Sequence, residues 1–290
     1  MSDFTVGDVQ KLREKTGCGM MDCKKALTVA KGDFNLAVDN LRETKSNLVL
    51  KKSGRVTSQG LTFSASRRDC GAIVEVNCET DFVANTGEFR EFVELCLEVI
   101  LNNEVENEND VGEILKIKTS SGNLLEDILN DKISKVGENI RIRRFYKFRG
   151  LTSSYIHAKG KIAVLVGFSG DLPLADNQDF KVMSRDVAMH VAAAAPSYLN
   201  AGIIGDSVIS HERDTYRSQA IREEKPENVI QRIVENKIRK FYEDNCLLEQ
   251  PLIKDPSVNI KNYVYNFAKS VNTFLNIDFF KRYVCGETID

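Results

Sequence analysis

Much of what can be said of this 290-residue chain begins with what it lacks. No stretch reaches the ~18–20 consecutive apolar residues of a membrane-crossing helix, so a spanning helix is excluded. Charge of one sign is also missing. Lys and Arg number 40 against 42 Asp and Glu, a formal net charge of −2. Proteins that wrap phosphate backbone carry a clear basic excess. The balance argues against a dedicated nucleic-acid coat and leaves room for a local basic patch. Histidine is scarce: His157, His190 and His211 lie far apart and share no metal-ligand spacing. The seven cysteines are odd in number and scattered, without a C-x-x-C. The N-terminus MSDFTVGDVQKLREKTG lacks the basic-then-apolar order of a secretory signal. Reduced thiols in a cytoplasmic protein are the expectation. No G-x-x-x-x-G-K-[ST] phosphate loop occurs, nor H-E-x-x-H, nor G-x-S-x-G, nor a zinc-spaced cysteine pair. An enzyme reading therefore has no positive support, and neither a cofactor nor a metal is expected.

What is present is a globular composition, 42% hydrophobic and 28% charged, in a chain long enough for about two domains. Residues 1–50 read as three short helices. Thr5 can cap the first, whose apolar positions are Val6, Val9 and Leu12; Gly17 and Gly19 stop it. A second helix is expected from a capping Asp22 to Ala30. In the third, after Gly32-Asp33, Phe34, Ala37, Val38 and Leu41 recur at helical spacing. So small a core suits a docking module tethered to something larger. Residues 51–60, KKSGRVTSQG, read as its basic linker.

Beyond it the chain carries a loose repeat. Gly71–Val76 and Gly160–Val166 are β-rich runs opening at a glycine, each followed by a loop and a helix. The fold class is α+β: two related subdomains, 61–139 and 140–290, of small antiparallel sheets backed by helices. Residues 101–113 are acidic and polar, an expected surface connection. IRIRRFYKFR, 140–149, alternates as a strand would, with Arg141, Arg143 and Phe145 on one face and Ile142, Arg144 and Tyr146 on the other. Residues 206–245 form a helical hairpin broken at Lys225-Pro226. The tail, with a C-terminal module over about 257–290, supplies a strand near Gln250–Ile253, a helix near 260–275 and a strand near Asp278–Val284.

Two segments stand out. In Thr16–Leu27, TGCGMMDCKKAL, Met20 and Met21 sit beside glycines between two helices. They either fill a small core or mark a partner-binding surface. In Asn77–Ala84, NCETDFVA, Asp81 adjoins the ring of Phe82 after a strand. The plain alternative is Thr80 or Asp81 as a helix cap, with Phe82 and Val83 packing down.

Together these words strongly resemble the elongation factor Ts family of bacteria and organelles. Val136-Gly-Glu-Asn-Ile-x-Ile-Arg-Arg144, Ser154-Tyr-x-His157, Ile162–Val166 and Met189–Ala193 agree with it too, as do basic Lys51, Lys52 and Arg55 and the break at Lys225-Pro226. The likeness covers about residues 1–245, and residues 257–290 hold no distinctive family words. Position 79 is Glu where many members have Gln, an isosteric change expected to be exposed and of little consequence.

The resemblance implies an N-terminal UBA-like three-helix domain and a guanine nucleotide exchange factor that is not itself an enzyme. Its partner would be elongation factor Tu, GDP-bound and nucleotide-free. Thr80, Asp81, Phe82 and Val83 would form a wedge that disturbs the partner's Mg²⁺. Met20, Met21, Cys23 and Lys24, with Leu12 behind them, would grip the partner, and His157 would touch it from the second subdomain. The resemblance leaves self-association through the hairpin open, and it implies no membrane and no direct nucleic-acid contact. The competing reading is an RNA-binding or ribosome-associated module in which bases stack on Phe145 and Tyr146 beside Arg141–Arg149.

Overall fold

The structure is a computed structural model and describes residues 4–105 and 110–289. The chain divides into two compact units, one of Met1–Leu61, Val74–Phe145 and Cys285–Asp290, the other of Thr62–Ile73 and Tyr146–Val284. The class is α+β.

The first unit opens with α1 (Val6–Thr16), α2 (Met20–Val29) and α3 (Phe34–Ser53). Thr5 caps α1 in a reciprocal box: its hydroxyl accepts the Asp8 N–H, and the Asp8 carboxylate accepts the Thr5 N–H at 2.9 Å. Gly17, at φ 66°, ends the helix in the left-handed conformation that glycine adopts without strain. The second helix starts earlier than expected. Gly19 is the residue before it and Asp22 lies in its first turn, where the carboxylate faces the positive end of the helix. Asp33 caps α3 by accepting the Leu36 N–H. Val9, Leu12, Cys23, Ala26, Leu27, Ala37, Val38 and Leu41 form one buried cluster between the three helices, whereas Val6 faces water.

Next along the chain come strands β1 (Gln59–Ser66) and β2 (Cys70–Cys78), whose residues 62–66 and 70–73 belong to the second unit, then α4 (Asp81–Ala84), α5 (Gly87–Asn102), α6 (Val111–Leu115) and α7 (Leu125–Val136) of the first unit, and β3 (Ile140–Arg149), which passes into the second unit at Tyr146. The sheet order is β1-β2-β3. Every residue of β2 is buried, the signature of a strand covered on both faces. In α5, Phe89, Phe92, Val93, Cys96 and Ile100 make the buried stripe at spacings of three and four. The expected acidic connection is only partly a connection. Leu101 and Asn102 end α5, residues 111–113 open α6, and 106–109 lie outside the described residues. Within this unit Lys45 of α3 donates to the Thr16 carbonyl at 2.8 Å and to the Asp131 carboxylate of α7 at 2.6 Å.

The second unit contains β4 (Leu151–His157), β5 (Ile162–Gly170), α8 (Gln178–Ala194), the hairpin α9 (Asp206–Arg222) and α10 (Glu227–Asn245), β6 (Pro251–Leu252), β7 (Asp255–Asn259), α11 (Ile260–Ser270) and β8 (Leu275–Val284). Strands β4, β5 and β8 pair antiparallel, with an irregularity at Gly167/Phe168. A Cβ on Gly167 would lie 2.0 Å from the Phe279 ring, so only glycine lets that ring cross the sheet. Val164, Val166 and Phe168 of β5 pack with Phe180, Val187 and Val191 of α8 and Val264 of α11. The hairpin has a separate seam of Ala220, Ile230, Val234 and Ile238. Pro226 precedes α10 at its cap position. Among the described residues no helix is long and apolar enough to cross a membrane.

Candidate functional site

The Thr80–Val83 corner is built by a strand that ends and a helix that barely begins. β2 stops at Cys78, and Thr80 caps α4 by accepting the Val83 N–H at 3.4 Å. The capping alternative read from the residues is thus present. Its second half is not: Phe82 does not pack down but is 83% exposed, Val83 is half-buried, and Ala84 is the buried anchor. One turn of helix points Ala84 inward and turns the neighbouring ring out to solvent.

The corner is braced from beneath by two carboxylates that cross. Glu138 accepts both the Thr80 N–H at 3.0 Å and the Thr80 hydroxyl proton at 2.7 Å. In return Glu79 accepts the Asn139 N–H at 2.6 Å and pairs with Arg55 at 3.4 Å. The Asn139 amide donates to the carbonyls of Ser53 and Arg55, which ties in the end of α3. Glu79 is therefore half-buried and engaged rather than exposed as expected. Sequence reasoning assigned Glu138 and Asn139 no role. The signal was present, since both belong to the Val136–Arg144 word, but only the fold sets that word against Thr80.

The α2 surface is simpler. Cys23, Ala26, Leu27 and Ala30 point inward at helical spacing, which turns Met20, Met21 and Lys24 outward together. Met20 is 42% and Met21 63% exposed, so neither is the core filler that the pattern alone allowed. Leu12 and Cys23 are fully buried in the three-helix cluster. They cannot touch a partner while the module is folded; they hold the surface from behind. Burial pushes the Cys23 thiol up and keeps it neutral. All seven cysteines are unbridged.

His157 stands exposed at the end of β4, with Nδ1 3.3 Å from the Tyr155 hydroxyl. Behind it lies a mostly apolar cavity of about 250 Å³ whose lining includes Met189, His190 and Leu252. His190 is buried. Its Nε2 lies 2.8 Å from Gln250 Oε1, and its Nδ1 accepts the Ile253 N–H at 3.3 Å.

The basic strand β3 differs most from expectation. Ile142 and Phe145 are both buried although an odd number of residues apart, so the strand has no single exposed aromatic face. Arg143 and Arg144 close on Glu75, a fully buried carboxylate in β2, at 3.0 and 2.7 Å. Burial would raise the Glu75 pKa. The Gly286 N–H, the Asn77 amide and the two guanidinium groups outweigh it and hold the carboxyl below its ordinary value. Tyr146 lies edge-on to Phe279, with the Lys281 ammonium 4.6 Å from its ring centre. Among the described residues no group of three His, Cys, Asp or Glu stands ready to hold a metal.

A family model described as Elongation factor TS matches residues 79–287. Elongation factor Ts of Clostridium kluyveri is 39% identical over 292 residues, covering 99% of this chain and 94% of that protein. The Clostridium acetobutylicum protein of that name is 38% identical over 288 residues, 97% of this chain and 92% of its own. That of Trichlorobacter lovleyi is 36% identical over 295 residues, with 99% and 94% covered.

Proposed function

The chain belongs to the elongation factor Ts family of translation elongation factors, and on that premise we propose that it is a guanine nucleotide exchange factor for elongation factor Tu. It binds Tu carrying GDP, loosens the partner's Mg²⁺ and phosphate contacts, and holds the nucleotide-free form until GTP loads. It catalyses no bond change. It works in the cytoplasm, without a membrane or direct nucleic-acid contact. The bound nucleotide, and with it the phosphate loop missing here, belongs to the partner.

The observation that carries this reading is Phe82, an aromatic ring held out in water on a braced turn. An exchange factor has to bind the nucleotide-free partner better than the loaded one, and the coupling is reciprocal. A ring that is buried only once the partner's nucleotide site has opened supplies such a difference. Full burial of a Phe side chain is worth about 1.5–3 kcal/mol, which on a release barrier is roughly ten- to a hundredfold in rate. A stiff turn delivers that energy as displacement, because Thr80 is fixed at both its N–H and its hydroxyl. Asp81 presents an exposed carboxylate for the displaced segment's donors, and Val83 backs the ring. Met20, Met21 and Lys24 form the docking face of α2, with Leu12 and Cys23 as its support. His157 supplies a contact from the second unit.

The RNA-binding alternative loses its footing at β3. The aromatic rings are buried or covered, and Arg143 and Arg144 are committed to Glu75, whereas stacking needs open rings beside cations.

The test is release of a fluorescent GDP analogue from cognate Tu in stopped flow. The wild-type chain accelerates release. Phe82→Ala lowers that acceleration by at least about tenfold while the complex still forms in a pull-down. Unchanged release by the variant would overturn the wedge. No acceleration by the wild type would overturn the exchange function itself.

A further inference from the structure

The second unit holds an open cavity of about 390 Å³ lined by none of the residues assigned above to nucleotide exchange. Arg67 and Arg68 reach it from the turn between β1 and β2, and Lys181 and Arg185 from one face of α8. Asp176 is the carboxylate among the lining residues, and it pairs with Arg68 at 3.0 Å where both side chains are largely exposed. In a chain of net charge −2, that is a marked local surplus of positive charge.

The cavity wall carries hydroxyls, and their hydrogen bonds differ in a telling way. Thr152 donates to the Cys70 carbonyl at 3.2 Å and Ser184 to the Lys181 carbonyl at 3.4 Å. The Ser66 hydroxyl is buried and has no partner. A buried donor left unpaired is costly unless a ligand accepts it. Cations around a hollow, with a free donor in its wall, suit a multiply charged oxyanion that only accepts. The volume falls in the range of small-ligand sites and exceeds what a single carboxylate would fill. Phe180 lines the cavity but is buried edge-on against Phe168, with ring centres 5.5 Å apart, so no ring is open to stack a base.

We infer that this cavity binds a small polyphosphate anion, recognised through its phosphates and not through a base or a nucleic-acid strand.

The experiment is isothermal titration of the full chain with inorganic pyrophosphate, with adenosine diphosphate and a single-stranded RNA as further arms. Pyrophosphate binds saturably at one site and more weakly as salt is raised. Adenosine diphosphate binds no more tightly than pyrophosphate. K181A/R185A weakens binding at least about tenfold and S66A about threefold, whereas K261A/K269A, which removes equal charge from α11, leaves it unchanged. Amide shifts on the wild-type chain, confined to 66–68 and 181–185, support the site without any variant. Absence of saturable binding overturns the inference, as does equal weakening by K261A/K269A. So does RNA binding that pyrophosphate fails to displace, which would make the hollow a nucleic-acid contact.

Discussion

At the scale of single residues, the feature that matters most is the pairing of Thr80 with Glu138. A charge-assisted hydrogen bond contributes about 1.5–3 kcal/mol where it is shielded, and here two of them share one carboxylate at a partly buried site. Glu138→Ala should cost about 1–2 kcal/mol in urea denaturation and also reduce acceleration of GDP release, although residue 138 lies beneath the corner and not on it. An unchanged exchange rate with reduced stability would show that the brace does not stiffen the wedge. His190 sets a pH dependence. Its Nε2 donates to Gln250, whose own amide is fixed by the Asp244 carbonyl, and its Nδ1 already accepts the Ile253 N–H. Burial lowers its pKa below the ordinary 6.5, outweighing the Gln250 hydrogen bond, which raises it, and a proton on Nδ1 would face the Ile253 N–H. Below that value the unfolded chain takes up a proton that the folded chain refuses, so stability is complete above it and falls as pH drops. The urea midpoint should decline as the solution is acidified below pH 6.5, and His190→Gln should flatten that part of the curve. Little of this was legible in advance. Phe82 drew notice by its place beside Asp81, but its exposure follows from which residue of a one-turn helix points inward.

At the scale of elements, sequence patterns succeed where a helix is closed by its own neighbours. Thr5 with Asp8, Asp33 with Leu36 and the Lys225-Pro226 break are all local arrangements, and each sits within a residue or two of where the pattern puts it. The start of α2 was misplaced because Asp22 is as good a first-turn residue as a cap, and only the backbone at Gly19 separates the two roles. In β3 the alternation failed, since period two predicts burial only when one face meets solvent. The α9–α10 hairpin makes the clearest element-scale prediction. Its buried seam is a cluster of its own, and its polar flanks pair across the two helices, Arg213 with Glu235 and Arg217 with Glu227. Ile238→Ala should lose about 2–4 kcal/mol of local stability. In hydrogen exchange, amides of 206–245 should open faster while those of β5 keep their protection. Equal loss in both would mean that the hairpin is not an independent cooperative unit.

At the scale of the whole molecule, near-neutral charge hides a segregated distribution. The Arg143 and Arg144 cations are consumed inside the fold by Glu75, whereas those around the cavity of the second unit stay at the surface. The three N-terminal helices enclose their own core, so their loss removes the exposed α2 face proposed to dock the partner without opening the apolar cluster of β5 and α8. Deleting residues 1–50 should leave a folded protein by circular dichroism and weaken its complex with Tu at least about tenfold by calorimetry. Equal affinity would refute the docking role of Met20, Met21 and Lys24.

The sequence by itself determined the class of the fold, the helical N-terminus, the hairpin and, through a few words of unusual composition, the family. These are properties of local spacing and of residue identity, which need no knowledge of distant neighbours. The tertiary structure decided which of the named residues face water. It turned Phe82, Met20 and Met21 outward, buried Leu12 and Cys23, committed Arg143 and Arg144 to Glu75, and set Glu138 against Thr80 across 58 positions of sequence. Exposure and long-range pairing depend on what the rest of the chain places opposite a residue, and no spacing rule carries that information.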